Sequence, residues 1–335
     1  MKKRIAIQIL SVLVLLEILL RIFGVNQTFR EQYTGSYDYM FNQKTKTWYH
    51  TWPANYDIAF GEDEFTYQNH YNDLGHREQD FASFIDDTSK LKIICIGDSF
   101  TEGDGAPYDS SWVRAFERNF LQLDSSVAVY NAGVCGSDAI FDYAILRDKL
   151  LAAKPDLVIE CLNGSDILDI YYRGDAARFV TDGSFRSSNW KWWEVPYKYS
   201  YVFRAALLVF GGYDNNLIHI PSEEEDQTKA IKIIAEQVHT TYKLCEENGI
   251  NYLLVVLPVP DNFIYPDNIP FKKLIPYTSS AVPKIDLFPS LTQSFDTLQI
   301  ENYSWKKNKH YNSKGYELVG NYIFEGLQDS IPIQK

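Results

Sequence analysis

Residues 93–96 read Ile-Ile-Cys-Ile and lead without a break into Gly97-Asp98-Ser99. A short apolar run of this kind reads as a buried strand. A serine at the carboxyl-terminal edge of a parallel strand, ahead of a helix N-terminus, stands where backbone N–H groups and the helix dipole favour a developing oxyanion. Ser99 is therefore placed to act as a nucleophile, and is equally well placed to cap the helix that follows it. The segment is not a G-x-S-x-G elbow, and with no Lys after it, it is not a phosphate-binding loop. Other chemistries are thinly supplied. The four cysteines, Cys95, Cys135, Cys161 and Cys245, contain no C-x-x-C pair, and none of the six histidines is paired at zinc-ligand spacing. Neither a metal nor a cofactor is expected.

The elements that must hold Ser99 surround it as short apolar runs alternating with helical ones, the pattern of parallel βαβ units. Strands are expected at 92–96, 127–132, 156–162 and 252–260, and helices at 110–123, 138–154, 222–247 and 312–328. Ser222 followed by Glu225 marks the start of the third helix as a capping box. The order breaks at 163–221, too long for an ordinary loop and dense in aromatics, with a short helix at 201–210. This stretch reads as an insertion near the active face. Its Trp190, Trp192 and Trp193 can stack on sugar rings, touch lipid, or pack the insertion onto the core. Residues 26–90 are rich in Tyr, Asn, Asp and Thr with little periodicity, and read as an irregular segment packed on the domain or as a tether. Free, buried thiols are the expected state of the cysteines, and a Cys95–Cys161 bridge requires neighbouring strands with facing side chains.

At 335 residues and 45% hydrophobic, the chain can bury one large core or two modest ones, which excludes a disordered tail or a small disulfide scaffold. Its net charge of -12 disfavours binding to a phosphate backbone, so no nucleic-acid partner is expected. Residues 1–25 differ from the rest. Lys2, Lys3 and Arg4 precede an apolar run from Ile5 to Val25, long enough for the roughly 20 residues that span a bilayer. No small-x-small cleavage site stands near Gly24, so a retained anchor is favoured over a cleaved signal. The basic cluster puts the N-terminus in the cytoplasm and everything after about residue 25 outside it, as a single-pass protein of the cytoplasmic (inner) membrane with its main domain extracytoplasmic or periplasmic. Glu17 and Arg21, four apart, share a helical face and can neutralise each other, meet a polar groove on a partner helix, or snorkel to the interface.

Gly97-Asp98-Ser99-Phe100-Thr101-Glu102-Gly103 resembles the first block, G-D-S-x-x-x-G, of the SGNH or GDSL hydrolases, and the resemblance runs from about residue 70 to 328. Residues 71–81 are similar to a stretch upstream of that block in membrane-anchored bacterial members. Gly136, in Asn131–Ala139, matches the glycine whose backbone N–H meets the oxyanion, although a turn glycine explains it as well. Gly164-Ser165-Asp166 stands at the third block, with Ser165 where the family has its oxyanion Asn; Asn163 is the alternative donor, although alternation along an extended backbone does not predict it. His310, ahead of Asn312 and Gly315, matches the general base. Lys307 and Asn308 occupy the positions three and two residues before it, where the family acid is expected. An Asn carbonyl can accept the Nδ1–H and fix the tautomer, but it does not stabilise imidazolium as a carboxylate does, and loss of such a carboxylate costs about 10⁴ in rate. Asp286 is a candidate replacement acid from another loop. Lys306, Lys307 and Lys309 either disfavour a protonated His310 or form a solvated basic run.

The resemblance implies a three-layer α/β/α sandwich with a flavodoxin-like parallel sheet in residues 91–335. It also implies a serine esterase or O-acyltransferase: Ser99 attacks, His310 takes its proton with Asn308 behind it, and Ser99 and Gly136 N–H, with Ser165 or Asn163, hold the oxyanion. Family range and the anchor point to acyl, typically acetyl, esters of cell-surface carbohydrate as substrate, and to a membrane-bound O-acyltransferase as partner. Two of the four diagnostic positions are substituted, which keeps open a second reading, a catalytically impaired domain serving as a glycan- or protein-binding component of a membrane complex.

Overall fold

The computed structural model describes residues 2–23, 38–42, 47–87, 91–123, 126–178, 196, 199–211, 224–264, 273–295 and 299–330. Helix α1 (Lys2–Ile22) is apolar along its length and exposed. Residues 26–90, expected to be irregular, instead contain two antiparallel hairpins, β1 (Asp38–Asn42) with β2 (Thr47–Thr51), and β3 (Tyr56–Glu62) with β4 (Phe65–Tyr71). The reason is visible in β4. Its inward face is Tyr67, Asn69 and Tyr71, all buried, and a polar residue in the middle of that face hides the period-2 pattern.

A short helix α2 (Phe81–Asp86) leads into β5 (Leu91–Gly97), followed by α3 (Ser99–Glu102), α4 (Trp112–Gln122), β6 (Val127–Asn131), α5 (Ala139–Asp148), β7 (Leu157–Leu162) and α6 (Ser165–Arg173). Then come α7 (Tyr201–Gly211), α8 (Glu224–Glu247), β8 (Asn251–Val256), α9 (Asp261–Ile264), α10 (Leu274–Tyr277), β9 (Lys284–Asp286), α11 (Phe288–Ser294) and α12 (Ser313–Ser330). The five strands β5 to β9 form one parallel sheet in the order β6-β5-β7-β8-β9. This is the flavodoxin order, and its switch point falls between β5 and β7.

Successive residues of the central strands point to opposite faces, so a continuous apolar run builds two cores at once. Ile94, Ile96, Val158 and Leu254 join Ile140 and Ile145 of α5 and Ile231, Ile234 and Val238 of α8 on one side. Ile93, Cys95, Leu157, Ile159 and Leu253 join Trp112 and Phe116 of α4 and Val319 and Ile323 of α12 on the other. Burial of each such aliphatic side chain contributes roughly 1.5–3 kcal/mol relative to exposure, enough to fix the sheet edge that carries the site. Cys95 and Cys161 lie on the adjacent strands β5 and β7, and all four cysteines are free thiols.

Two expectations change. The expected helix 138–154 stops at Asp148 and gives way to a 3-10 turn, Leu150–Ala153, closed by Lys154 at φ 49. The insertion expected at 163–221 begins with α6, which belongs to the core through Ile167 and Ile170; nine residues are too few for a helical period to stand out. Trp190, Trp192, Trp193 and the capping residue Ser222 lie outside the described residues. Helix α7 packs beside α1. Glu17 and Arg21 pair with each other, and the Glu17 carboxylate also accepts the N–H groups of Tyr201 and Val202 and the Ser200 hydroxyl, at 3.0, 2.9 and 3.0 Å. Arg21 donates to the Tyr199 carbonyl. Glu17 and Arg21, the two charges within the apolar stretch of α1, are thus satisfied by the N-terminus of α7 as well as by one another.

Candidate active site

Strand β5 ends at Gly97, whose φ of 149 is rarely open to other residues; a Cβ there would stand 2.4 Å from Thr101 Oγ1 and 2.6 Å from the Cys161 carbonyl. The chain turns there into Asp98 and Ser99. Asp98, not Ser99, caps the following helix, its carboxylate accepting the Phe100 N–H at 3.0 Å. This frees the Ser99 hydroxyl, which lies 2.7 Å from His310 Nε2. Helix α3 is a single turn, so the helix dipole expected behind Ser99 is short, and stabilisation of an oxyanion falls to individual N–H groups. The Ser99 and Gly136 N–H groups have no acceptor among the described residues. Gly136 sits at φ 76 in a half-buried turn held from below by Glu102, which accepts the neighbouring Cys135 N–H, the Tyr71 hydroxyl and the Trp52 indole at 2.5, 2.6 and 3.1 Å. Burial raises the Glu102 pKa against the pull of those three bonds.

His310 is fixed from several sides. Its Nδ1 lies 2.7 Å from Asn308 Oδ1, so Nδ1 carries the proton and Nε2 faces Ser99 as the acceptor. The Phe100 ring covers the imidazole at a centroid distance of 4.5 Å. The loop closes through Trp305 N–H to the His310 carbonyl at 2.9 Å and through Lys309 at φ 69. The tip of the β3–β4 hairpin then grips it: the Glu64 carboxylate accepts the N–H groups of Lys306, Lys307 and Asn308 at 3.0, 2.8 and 3.0 Å. Glu64 is half-buried, and its pKa is lowered: desolvation raises it, but the three bonds together outweigh that cost.

The side-chain oxyanion donors expected from the third block are turned elsewhere. Asn163 is fully buried and donates its Nδ2 to Asp98 Oδ2 at 2.8 Å, while Ser165 Oγ lies 2.8 Å from the same oxygen. The cause is Asp98 itself: its buried carboxyl, whose pKa burial raises, needs donors, and Asn163 and Ser165 are the two in reach. Of the donors expected there, the backbone N–H groups of Ser99 and Gly136 are the two with no acceptor among the described residues. The lysines do not crowd the imidazole, since Lys306, Lys307 and Lys309 pair with Glu301, Asp63 and Asp261. Asp286 does not replace the missing acid; its carboxylate takes the Phe288 N–H at 2.9 Å at the start of α11. The carboxylate near His310 is one that sequence reasoning passed over. Asp104 Oδ2 lies 3.7 Å from His310 Nδ1, with the Asp104 side chain 9% exposed. Its only signal in the sequence is its position directly after Gly103 of the G-D-S block.

No family model and no curated protein matches the sequence. Among solved structures, the chain is similar to a lipase from a goat rumen metagenome, at 15% identity and TM-score 0.48 over 71% of this chain and 97% of that one. It is also similar to a lipase/acylhydrolase from Enterococcus faecalis, at 18% identity and TM-score 0.43 over 73% and 99% of the two chains. A GDSL-like lipase from Bacteroides thetaiotaomicron is similar at 13% identity and TM-score 0.39 over 74% and 96%.

Proposed function

We propose that the chain is a membrane-anchored serine esterase or O-acyltransferase of the SGNH type, acting outside the cytoplasm on acyl, typically acetyl, esters of cell-surface carbohydrate. The observation that carries this reading is the Ser99 Oγ to His310 Nε2 distance of 2.7 Å, with the far ring nitrogen already held by Asn308. In that geometry His310 takes the hydroxyl proton as Ser99 Oγ attacks the ester carbonyl, and the tetrahedral oxyanion meets the N–H groups of Ser99 and Gly136. The proton on Nε2 then passes to the leaving alcohol, and water or a sugar hydroxyl releases the acyl group by the same steps in reverse. The apolar helix α1 and its basic start support an anchor with the catalytic domain outside. A membrane-bound O-acyltransferase would supply the acyl group if the reaction is a transfer.

A second reading, a binding component without activity, draws support from one feature, the turning of Ser165 and Asn163 onto Asp98. Labelling separates the two. Full-length protein in detergent micelles, treated with a fluorophosphonate, is expected to gain one adduct by intact mass, and Ser99→Ala and His310→Ala to gain none. An unlabelled wild-type protein that also leaves p-nitrophenyl acetate intact would give the binding reading its case.

A further inference from the structure

In a Ser–His–Asp triad one aspartate does two things: it fixes the imidazole tautomer, and it stabilises the imidazolium that forms as serine loses its proton. Asn308 can do only the first. We propose that Asp104 does the second, so that the work of the missing triad acid is divided between a neutral residue in hydrogen-bond contact and a carboxylate just beyond it. This inference rests on reading Ser99 and His310 as a nucleophile and its base.

The placement of Asp104 is built in from three elements. Its N–H donates to the Ser99 carbonyl at 2.9 Å and its carbonyl accepts the Tyr316 hydroxyl at 2.7 Å, which ties it to α3 and α12. Its Oδ1 accepts the Tyr67 hydroxyl at 3.0 Å, and that hydroxyl is oriented by the Gly105 N–H, also at 3.0 Å. The Tyr67 ring lies under the Arg77 guanidinium, which is itself bonded to the carbonyls of Gly103 and Ala106. Oδ2 is left facing Nδ1 and accepts no hydrogen bond among the described residues. A carboxylate held in this way, on a side chain 9% exposed and 3.7 Å from Nδ1, keeps most of its electrostatic effect on a neighbouring cation.

The other charges around His310 leave this role open. The Asp98 carboxylate is shared between Asn163 and Ser165, and Glu64 is engaged with three backbone N–H groups. The ammonium groups of Lys306, Lys307 and Lys309 have carboxylates of their own. Asp104 is a positioning residue acting through His310. The proton inventory is unchanged: it moves from Ser99 Oγ to Nε2 and on to the leaving group, and Nδ1 keeps its own.

The test is the rate of fluorophosphonate labelling of Ser99, in the full-length chain in micelles, for wild type, Asp104→Asn, and the double variant Asp104→Asn with Asn308→Asp. Asparagine is isosteric and still accepts the Tyr67 hydroxyl, so the fold is retained, as an unchanged melting temperature verifies. The single variant is expected to label about 100-fold more slowly. Asn308→Asp, which brings a carboxylate into contact with Nδ1, is expected to restore the rate to within about fivefold of wild type. A structural role for Asp104 would not be rescued in this way. Labelling of Asp104→Asn within about threefold of wild type, or no rescue, overturns the inference while leaving Ser99 as an activated nucleophile. An unlabelled wild-type protein overturns both together.

Discussion

At the scale of single residues the site divides into atoms aimed at a reacting group and atoms spent on holding the others. Ser165 is the clearest case. Its position matches an oxyanion donor, but its hydroxyl lies against Asp98 Oδ2, where Asn163 also donates. Removing one working oxyanion donor costs about 10²–10³ in kcat. Ser165→Ala is therefore expected to lower kcat on p-nitrophenyl acetate by no more than about threefold, because Asn163 continues to satisfy Asp98. A loss of about 100-fold would mean that Ser165 turns toward the oxyanion when substrate binds. The contrast with Asp104 is instructive. Ser165 was legible in the sequence because it fills a motif position, yet the partner it has chosen was not; Asp104 fills none, and its nearness to His310 follows from contacts with Tyr67 and Tyr316 far along the chain.

At the scale of elements, the sheet and its large helices were legible because burial on both faces writes long apolar runs at β5, β7 and β8, and amphipathic periods at α4, α8 and α12. The β3–β4 hairpin was not, since its buried face is made of Tyr and Asn. That hairpin completes the site. Tyr67 orients Asp104, and Glu64 at the tip gathers three N–H groups of the loop that carries Asn308 and His310. Residues 56–71 thus act as a strut between the N-terminal segment and the loop that carries Asn308 and His310. Because the Glu64 side chain is only half-buried and accepts its hydrogen bonds from that loop's backbone, Glu64→Ala is expected to change the melting temperature little. It should loosen the Asn308–His310 geometry, lowering kcat about tenfold with KM little altered. Equal losses in stability and activity would show instead that the hairpin tip is part of the folding core.

At the scale of the whole molecule, an excess of acidic residues has been carried into the interior. Asp142 and Asp166 are fully buried and held well above the ordinary carboxyl range, first by burial and then by neighbouring carboxylates, while burial pushes Glu160 up to about 7. His76 works in the opposite sense, its pKa lowered by burial to about 3. A carboxyl whose pKa rises on folding binds its proton more tightly in the native state. Its contribution is complete below the unfolded value and is lost as pH climbs through the folded one, for Glu160 between 4.5 and about 7. The His76 contribution is complete above 6.5 and is lost as pH falls toward about 3. Several carboxyls oppose one imidazole, so stability is expected to be greatest in mild acid and to decline toward pH 8. Glu160→Gln isolates one part of that decline, since the amide oxygen can still accept the Tyr252 hydroxyl without titrating. Denaturant unfolding of the full-length chain in micelles at pH 5, 6, 7 and 8 measures it. The variant should lose less stability than wild type across this range, by at most on the order of 3 kcal/mol. Parallel pH dependences in the two proteins would show that the Glu160 carboxyl reaches water, and that the acid preference arises from the other buried carboxyls, Asp98, Glu102, Asp142 and Asp166.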